Sequence, residues 1–178
     1  MNPIKNKATA ALLLFLISFF LYSPSLRNDF VWDDIEVIQK SYHSFKASRI
    51  KAILFPEAKQ DKTQRYYRPI IFVSTVTDHE FWGINPFGFH LSNLLLNSIS
   101  TMLLYFLLLL IFGRFSVEGK ESISFFTALL FAVYPMHVES VSWIAGRTDI
   151  LCGIFFILAL ILHIESFHTI WLLILTAL

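Results

Sequence analysis

From Phe87 to Phe112 the chain runs without one Asp, Glu, Lys or Arg. A helix needs about 20 such residues, at about 1.5 Å each, to cross the ~30 Å hydrocarbon layer of a bilayer. A segment in lipid must satisfy its backbone N–H and C=O groups internally, and a single apolar run does that as an α-helix. Within the run, His90, Asn93, Asn97 and Thr101 recur at three- and four-residue steps, which places them on one face. In lipid such a polar face turns toward neighbouring helices and bonds across them, or lines a cavity.

The rest of the chain follows the same logic. Charged residues make up 15% of the sequence, against about a quarter in a soluble domain. Most of them lie between residues 24 and 88, and the other stretches are apolar. The fold class is therefore all-α, a polytopic helical membrane protein with about four full spans and a truncated fifth. The spans fall near residues 8–23, 87–112, 122–135, 149–165 and 169–178, with loops at 24–86 and 136–148. The first run follows Lys5 and Lys7 but lacks an Ala-x-Ala type cleavage site at Tyr22-Ser23-Pro24-Ser25, so it reads as an anchor rather than a cleaved leader. In the long loop, Ile35–Ile38 and Phe45–Phe55 mix apolar and charged residues as short amphipathic helices on a membrane surface do. Gly83-Ile84-Asn85-Pro86 is a turn that opens the second span. Pro135 interrupts the third, Thr148 or Asp149 caps the fourth, and Glu165 to Thr169 turns the chain into the fifth. That run stops after nine residues, so the chain is expected to be a fragment.

Lys5, Lys7, Arg114 and Lys120 flank helices on one side, which the positive-inside rule makes cytoplasmic. Both polar loops then face the other compartment. A net charge of +1 without a basic stripe argues against a nucleic-acid partner. Cys152 stands alone in an apolar run and reads as a packing residue.

Two blocks carry groups capable of chemistry. The first is Asn28-Asp29-Phe30-Val31-Trp32-Asp33-Asp34. Adjacent carboxylates beside apolar walls part in proton affinity, so one can act as a general base; they can also hold a cation, or one can simply cap a helix at Ile35. The second runs from Pro135 to Asp149 and holds His137, Glu139, Arg147 and Asp149. Ionisable side chains at membrane depth are costly and mark functional sites. The planar Arg147 guanidinium suits a phosphate. The plainer alternative pairs Arg147 with Asp149 or Glu139. His137-x-Glu139 lacks the second His of a zinc-protease helix, so no cofactor is firmly indicated, although a divalent cation stays open. Arg68, after two tyrosines, suits a phosphate or a lipid headgroup. His163 and His168 read as interfacial.

Taken in order, Asn28 to Asp34, Tyr67-Arg68-Pro69, Trp82 to His90 and Pro135 to Asp149 resemble the amino-terminal membrane part of the transmembrane and tetratricopeptide-repeat family. That family is similar to protein O-mannosyltransferases and looks like C-type glycosyltransferases. The resemblance implies transfer of a sugar, mannose among the candidates, from a polyprenyl-phosphate-linked donor to an extracytoplasmic acceptor, protein or glycan. It implies Asp33 as base with Asp34 as its positioning partner, Arg147 and then Arg68 for the donor phosphate, and His137, Glu139, Asp149 and His90 around the acceptor pocket. It further implies an integral membrane protein with a cytoplasmic amino terminus, in the plasma membrane of a prokaryote or the endoplasmic reticulum of a eukaryote. No 34-residue helical repeat is visible, and the chain alone is expected to be inactive. The rival readings are a transporter or channel component, with the His90 face lining a path, and a non-catalytic membrane subunit.

Overall fold

The computed structural model describes residues 6–35, 38 and 68–176. Helix α1 spans Lys7–Tyr22 and runs into a 3-10 turn, Ser23–Arg27. Helix α2 is Pro69–Trp82, α3 Pro86–Arg114, α4 Lys120–Ala132 and α5 His137–Ser142; a 3-10 turn at Ile144–Gly146 leads into α6, Arg147–Thr176. The described residues hold no strand. The amphipathic segment expected at Phe45–Phe55 lies outside them; of the one expected at Ile35–Ile38, only its two ends lie within them.

Each boundary has a local cause. Asn6 caps α1 by accepting from the Ala8 and Thr9 amides. Gly83, at φ 61°, ends α2 in a conformation that costs a residue with a Cβ. Asn85 then accepts from the Phe87 amide and Pro86 takes the first helical position, so α3 begins where the sequence places it. Gly88 sits directly under the Trp82 ring, and this close approach folds α2 back on α3.

The long helices alternate in direction. Ala10, Ala11 and Leu14 of α1 pack with Tyr105 and Leu109 from the far end of α3 and with Phe125 and Ala128 of α4. Small residues let α1 approach closely where lipid supplies no hydrophobic drive between helices. At the opposite end Tyr22, Leu94, Val141, Ile150 and Ile154 form a second cluster. The polar face of α3 bonds inward: Asn97 Nδ2 donates to Ser18 Oγ of α1 at 3.0 Å, within a buried contact. Lys7, Arg114 and Lys120 gather at one end, and the two chemistry-bearing blocks at the other.

Among the described residues, three stretches are long and apolar enough to cross a membrane: Lys7–Arg27, Pro86–Arg114 and Ile144–Ser166. Two expectations need correction. The third span expected at 122–135 is α4, whose 13 residues reach about 20 Å. It ends at Ala132 because Pro135 cannot continue the helix. The turn expected at Glu165–Thr169, and with it a separate fifth span at 169–178, gives way to one continuous helix, α6. That stretch is polar but contains no Pro or Gly, and Ser166 bonds its hydroxyl back to the His163 carbonyl at 3.1 Å. The helix also starts at Arg147 rather than at Thr148 or Asp149, leaving Asp149 in its first turn, where the helix dipole favours a carboxylate.

Candidate functional site

The Asn28–Asp34 block lies over the Trp143–Arg147 segment. Phe30, Phe89 and Ile144 share an apolar cluster with Ile38. Trp32 meets Trp143 edge-on, with ring centres 5.9 Å apart. Trp32 has φ 50°, a strained setting for a bulky side chain, and strain of this kind collects at functional sites. Residues 33–35 then make a helical turn.

The two carboxylates part company there. Asp34 is buried at 1% exposure and accepts from the Ala145 amide at 3.1 Å and from the Val31 amide at 3.3 Å. Burial pushes its pKa above the ordinary carboxylate value, and the backbone amides pull against that shift. Asp33, next to it, is exposed.

Beneath Asp34 lies a buried charge system. Arg147 is 1% exposed. Its Nε donates to Asn93 Oδ1 at 2.6 Å, Nη2 donates to the Phe89 carbonyl at 2.8 Å, and Nη1 approaches Ser74 Oγ at 3.4 Å. Its ion-pair partner is Asp78 of α2, with Nη2 to Oδ2 at 2.6 Å. Ser92 also donates to Asp78 Oδ1 at 2.6 Å. Burial raises the Asp78 pKa, while Arg147 and then the Ser92 hydroxyl oppose the rise. The arginine is thus held from α2, α3 and the backbone together, not by Asp149 or Glu139.

The remaining expected residues fall in different places. His90 is wholly buried on α3, facing the backbone of Asn28 and Asp29. His137, Ser140 and Asp149 line a separate cavity of about 190 Å³, together with Asn97, Ser100 and Phe131. Ser140 donates to Asp149 Oδ2 at 3.3 Å. The His137 ring lies 4.3 Å from that of Phe131, and burial lowers its pKa against the pull of the Phe131 carbonyl. Asp33, Asp34 and Arg68 are not among the residues lining this cavity. Glu139 is exposed, and Arg68 is exposed at the start of α2. Among the described residues no three His, Cys, Asp or Glu side chains gather as a metal site.

Asp78, Ser74 and Ser92 belong to no motif in the sequence. The available signal was an acid set in the apolar stretch Ile70 to Trp82, a costly placement that calls for a buried partner.

The chain is similar over most of its length to protein O-mannosyl-transferases. The protein O-mannosyl-transferase TMTC1 of Mus musculus is 33% identical over 165 residues, covering 89% of this chain and 17% of the relative. TMTC4 of the same organism is 27% identical over 179 residues, covering 89% and 23%. This chain is a homologue of the protein O-mannosyl-transferases. A Caenorhabditis elegans member, F38B6.6, is 29% identical over 163 residues, covering 87% and 23%. The chain therefore spans about a fifth of the length of the transferases it matches. No protein-family model and no solved structure matches the chain.

Proposed function

We propose that the chain forms part of a membrane glycosyltransferase that moves a sugar, mannose by analogy with its relatives' names, from a polyprenyl-phosphate donor to a protein acceptor. The observation that carries the reading is the seating of Asp34 on the Ala145 amide at 3.1 Å. It joins the two polar blocks at one end of the bundle and leaves Asp33 exposed at their junction. A transporter would place charge along a path through the bilayer, whereas here the ionisable groups of the two blocks collect at one end of the bundle.

In this reading the Asp33 carboxylate takes the proton of an acceptor hydroxyl as its oxygen attacks the anomeric carbon. The bond from that carbon to the phosphate oxygen breaks, polyprenyl phosphate departs, and a single displacement inverts the anomeric centre. Asp34 orients Asp33. Arg68, exposed at the start of α2, meets the departing phosphate, and Arg147 acts from beneath through its charge and its hold on the turn. His137, Asp149 and Ser140 form a polar pocket for the acceptor side, with His90 supporting the first block. The end bearing Lys7, Arg114 and Lys120 faces the cytoplasm, so the chemistry is extracytoplasmic.

The test is mannosyl transfer by the complete gene product, in membranes supplied with polyprenyl-phosphate mannose and a Ser/Thr peptide. Asp33→Asn and Asp34→Asn are expected to lose transfer while the protein stays folded. Unchanged transfer in both would remove the assignment.

A further inference from the structure

The buried pair of Asp78 and Arg147 takes no part in bond making, yet it is wired to the residue that does. Arg147 stands two positions after Ala145, the amide that seats Asp34. Asn93 clamps the two together: its Oδ1 accepts from Arg147 Nε at 2.6 Å, and its Nδ2 reaches the Trp143 carbonyl at 3.1 Å and the Val141 carbonyl at 3.3 Å. Gly146, between Ala145 and Arg147, lies so close to α5 that a Cβ there would sit 2.8 Å from the Ser140 Cα. The turn therefore has no independent freedom to slide. Where Arg147 goes, Ala145 goes, and Asp78 supplies the counter-charge that fixes Arg147.

We propose that Asp78 is a positioning residue for sugar transfer: through Arg147 it holds the 144–146 turn, whose Ala145 amide seats Asp34 and so aims the Asp33 carboxylate. The proposal rests on the reading of Asp33 and Asp34 as the base and its partner. Among the described residues, the charged groups acting on Asp34 are Asp33 beside it and Arg147 beneath it. Loosening Arg147 withdraws the Ala145 N–H, a bond that favours the ionised carboxylate.

The experiment uses the complete gene product reconstituted in lipid, with polyprenyl-phosphate mannose and an acceptor peptide. Asp78→Asn keeps the volume and a partner for Ser92 but removes the charge. It is expected to lower kcat by about 10–100-fold with the donor KM nearly unchanged, because misplacement of about 1 Å costs rate on that scale. The acid limb of the kcat profile is expected to move to higher pH, because Asp34 loses the Ala145 hydrogen bond that holds its pKa down. Asp78→Glu is expected to restore much of both. Should Asp78→Asn fail to fold, Ser92→Ala, which removes the 2.6 Å hydrogen bond to Asp78 and leaves Arg147 in place, is expected to show the same two changes at smaller size. A folded variant with wild-type kcat and an unmoved acid limb, while Asp33→Asn and Asp34→Asn are dead, overturns the positioning role alone. Full transfer by Asp33→Asn and Asp34→Asn overturns the reading beneath it.

Discussion

The Arg147 guanidinium meets the Asp78 carboxylate at 2.6 Å, with Arg147 1% and Asp78 6% exposed. The contact joins the first turn of α6 to α2, a helix that enters from the long polar segment. Removing either partner strands a charge that took a large desolvation penalty to bury. Arg147→Met or Asp78→Ala alone is expected to destabilise by about 3–5 kcal/mol, and the double apolar replacement by much less. Thermal unfolding in detergent micelles checks this: equal loss in the single and double variants would mean that the pair is not the element being read.

Gly146→Ala places a methyl 2.8 Å from both the Cα and the carbonyl oxygen of Ser140, which are backbone atoms and cannot rotate away. A loss of about 1–3 kcal/mol is expected, as for other overpacked sites. Gly153→Ala meets nothing within 4 Å and should stay within about 0.5 kcal/mol of wild type. The two substitutions are chemically identical, so a similar loss in both would contradict the packing described.

Asn97 and Ser18 bond within the bundle at 3.0 Å. Such contacts average about 0.6 kcal/mol by double-mutant cycles, because the separated helices find other partners. A Ser18→Ala, Asn97→Leu cycle is expected to return a coupling of that size. A value near zero would reassign the polar face of α3 to cavity lining.

His137 is expected to give the cavity it shares with Ser140 and Asp149 a pH dependence. Its folded pKa lies below the ordinary 6.5, because burial opposes the imidazolium. The neutral ring therefore stabilises the fold fully above 6.5, and that contribution is lost as pH falls through the lowered folded value. One proton limits the slope to about 1.4 kcal/mol per pH unit. Wild type is expected to weaken on acidification relative to His137→Phe; parallel stability curves would place the proton elsewhere.

The three long apolar stretches were legible because lipid imposes a long-range rule: an uncharged run such as Phe87–Phe112 has few ways to satisfy its backbone. The turn at Gly83-Ile84-Asn85-Pro86 was legible because Gly and Pro dictate local geometry. The unbroken path of α6 through Glu165–Thr169 was not, since polar residues suggest a surface but only Pro, Gly or tertiary contacts stop a helix. At the site, the approach of Asp34 to the Pro135–Asp149 block followed from both loops leaving the same end of the bundle. The partner of Arg147 was sought among near neighbours, Glu139 and Asp149. It came instead from Asp78, 69 positions away in the chain. Pairing across helices is set by how α2 folds back on α3, and no spacing within one segment encodes it.

The most direct measurement is the rate of mannosyl transfer from polyprenyl-phosphate mannose by the complete gene product carrying Asp33→Asn, with folding verified in the same sample. Loss of a positioned general base predicts a fall of about 10²–10⁴-fold. A folded Asp33→Asn protein that transfers sugar at the wild-type rate would contradict the account.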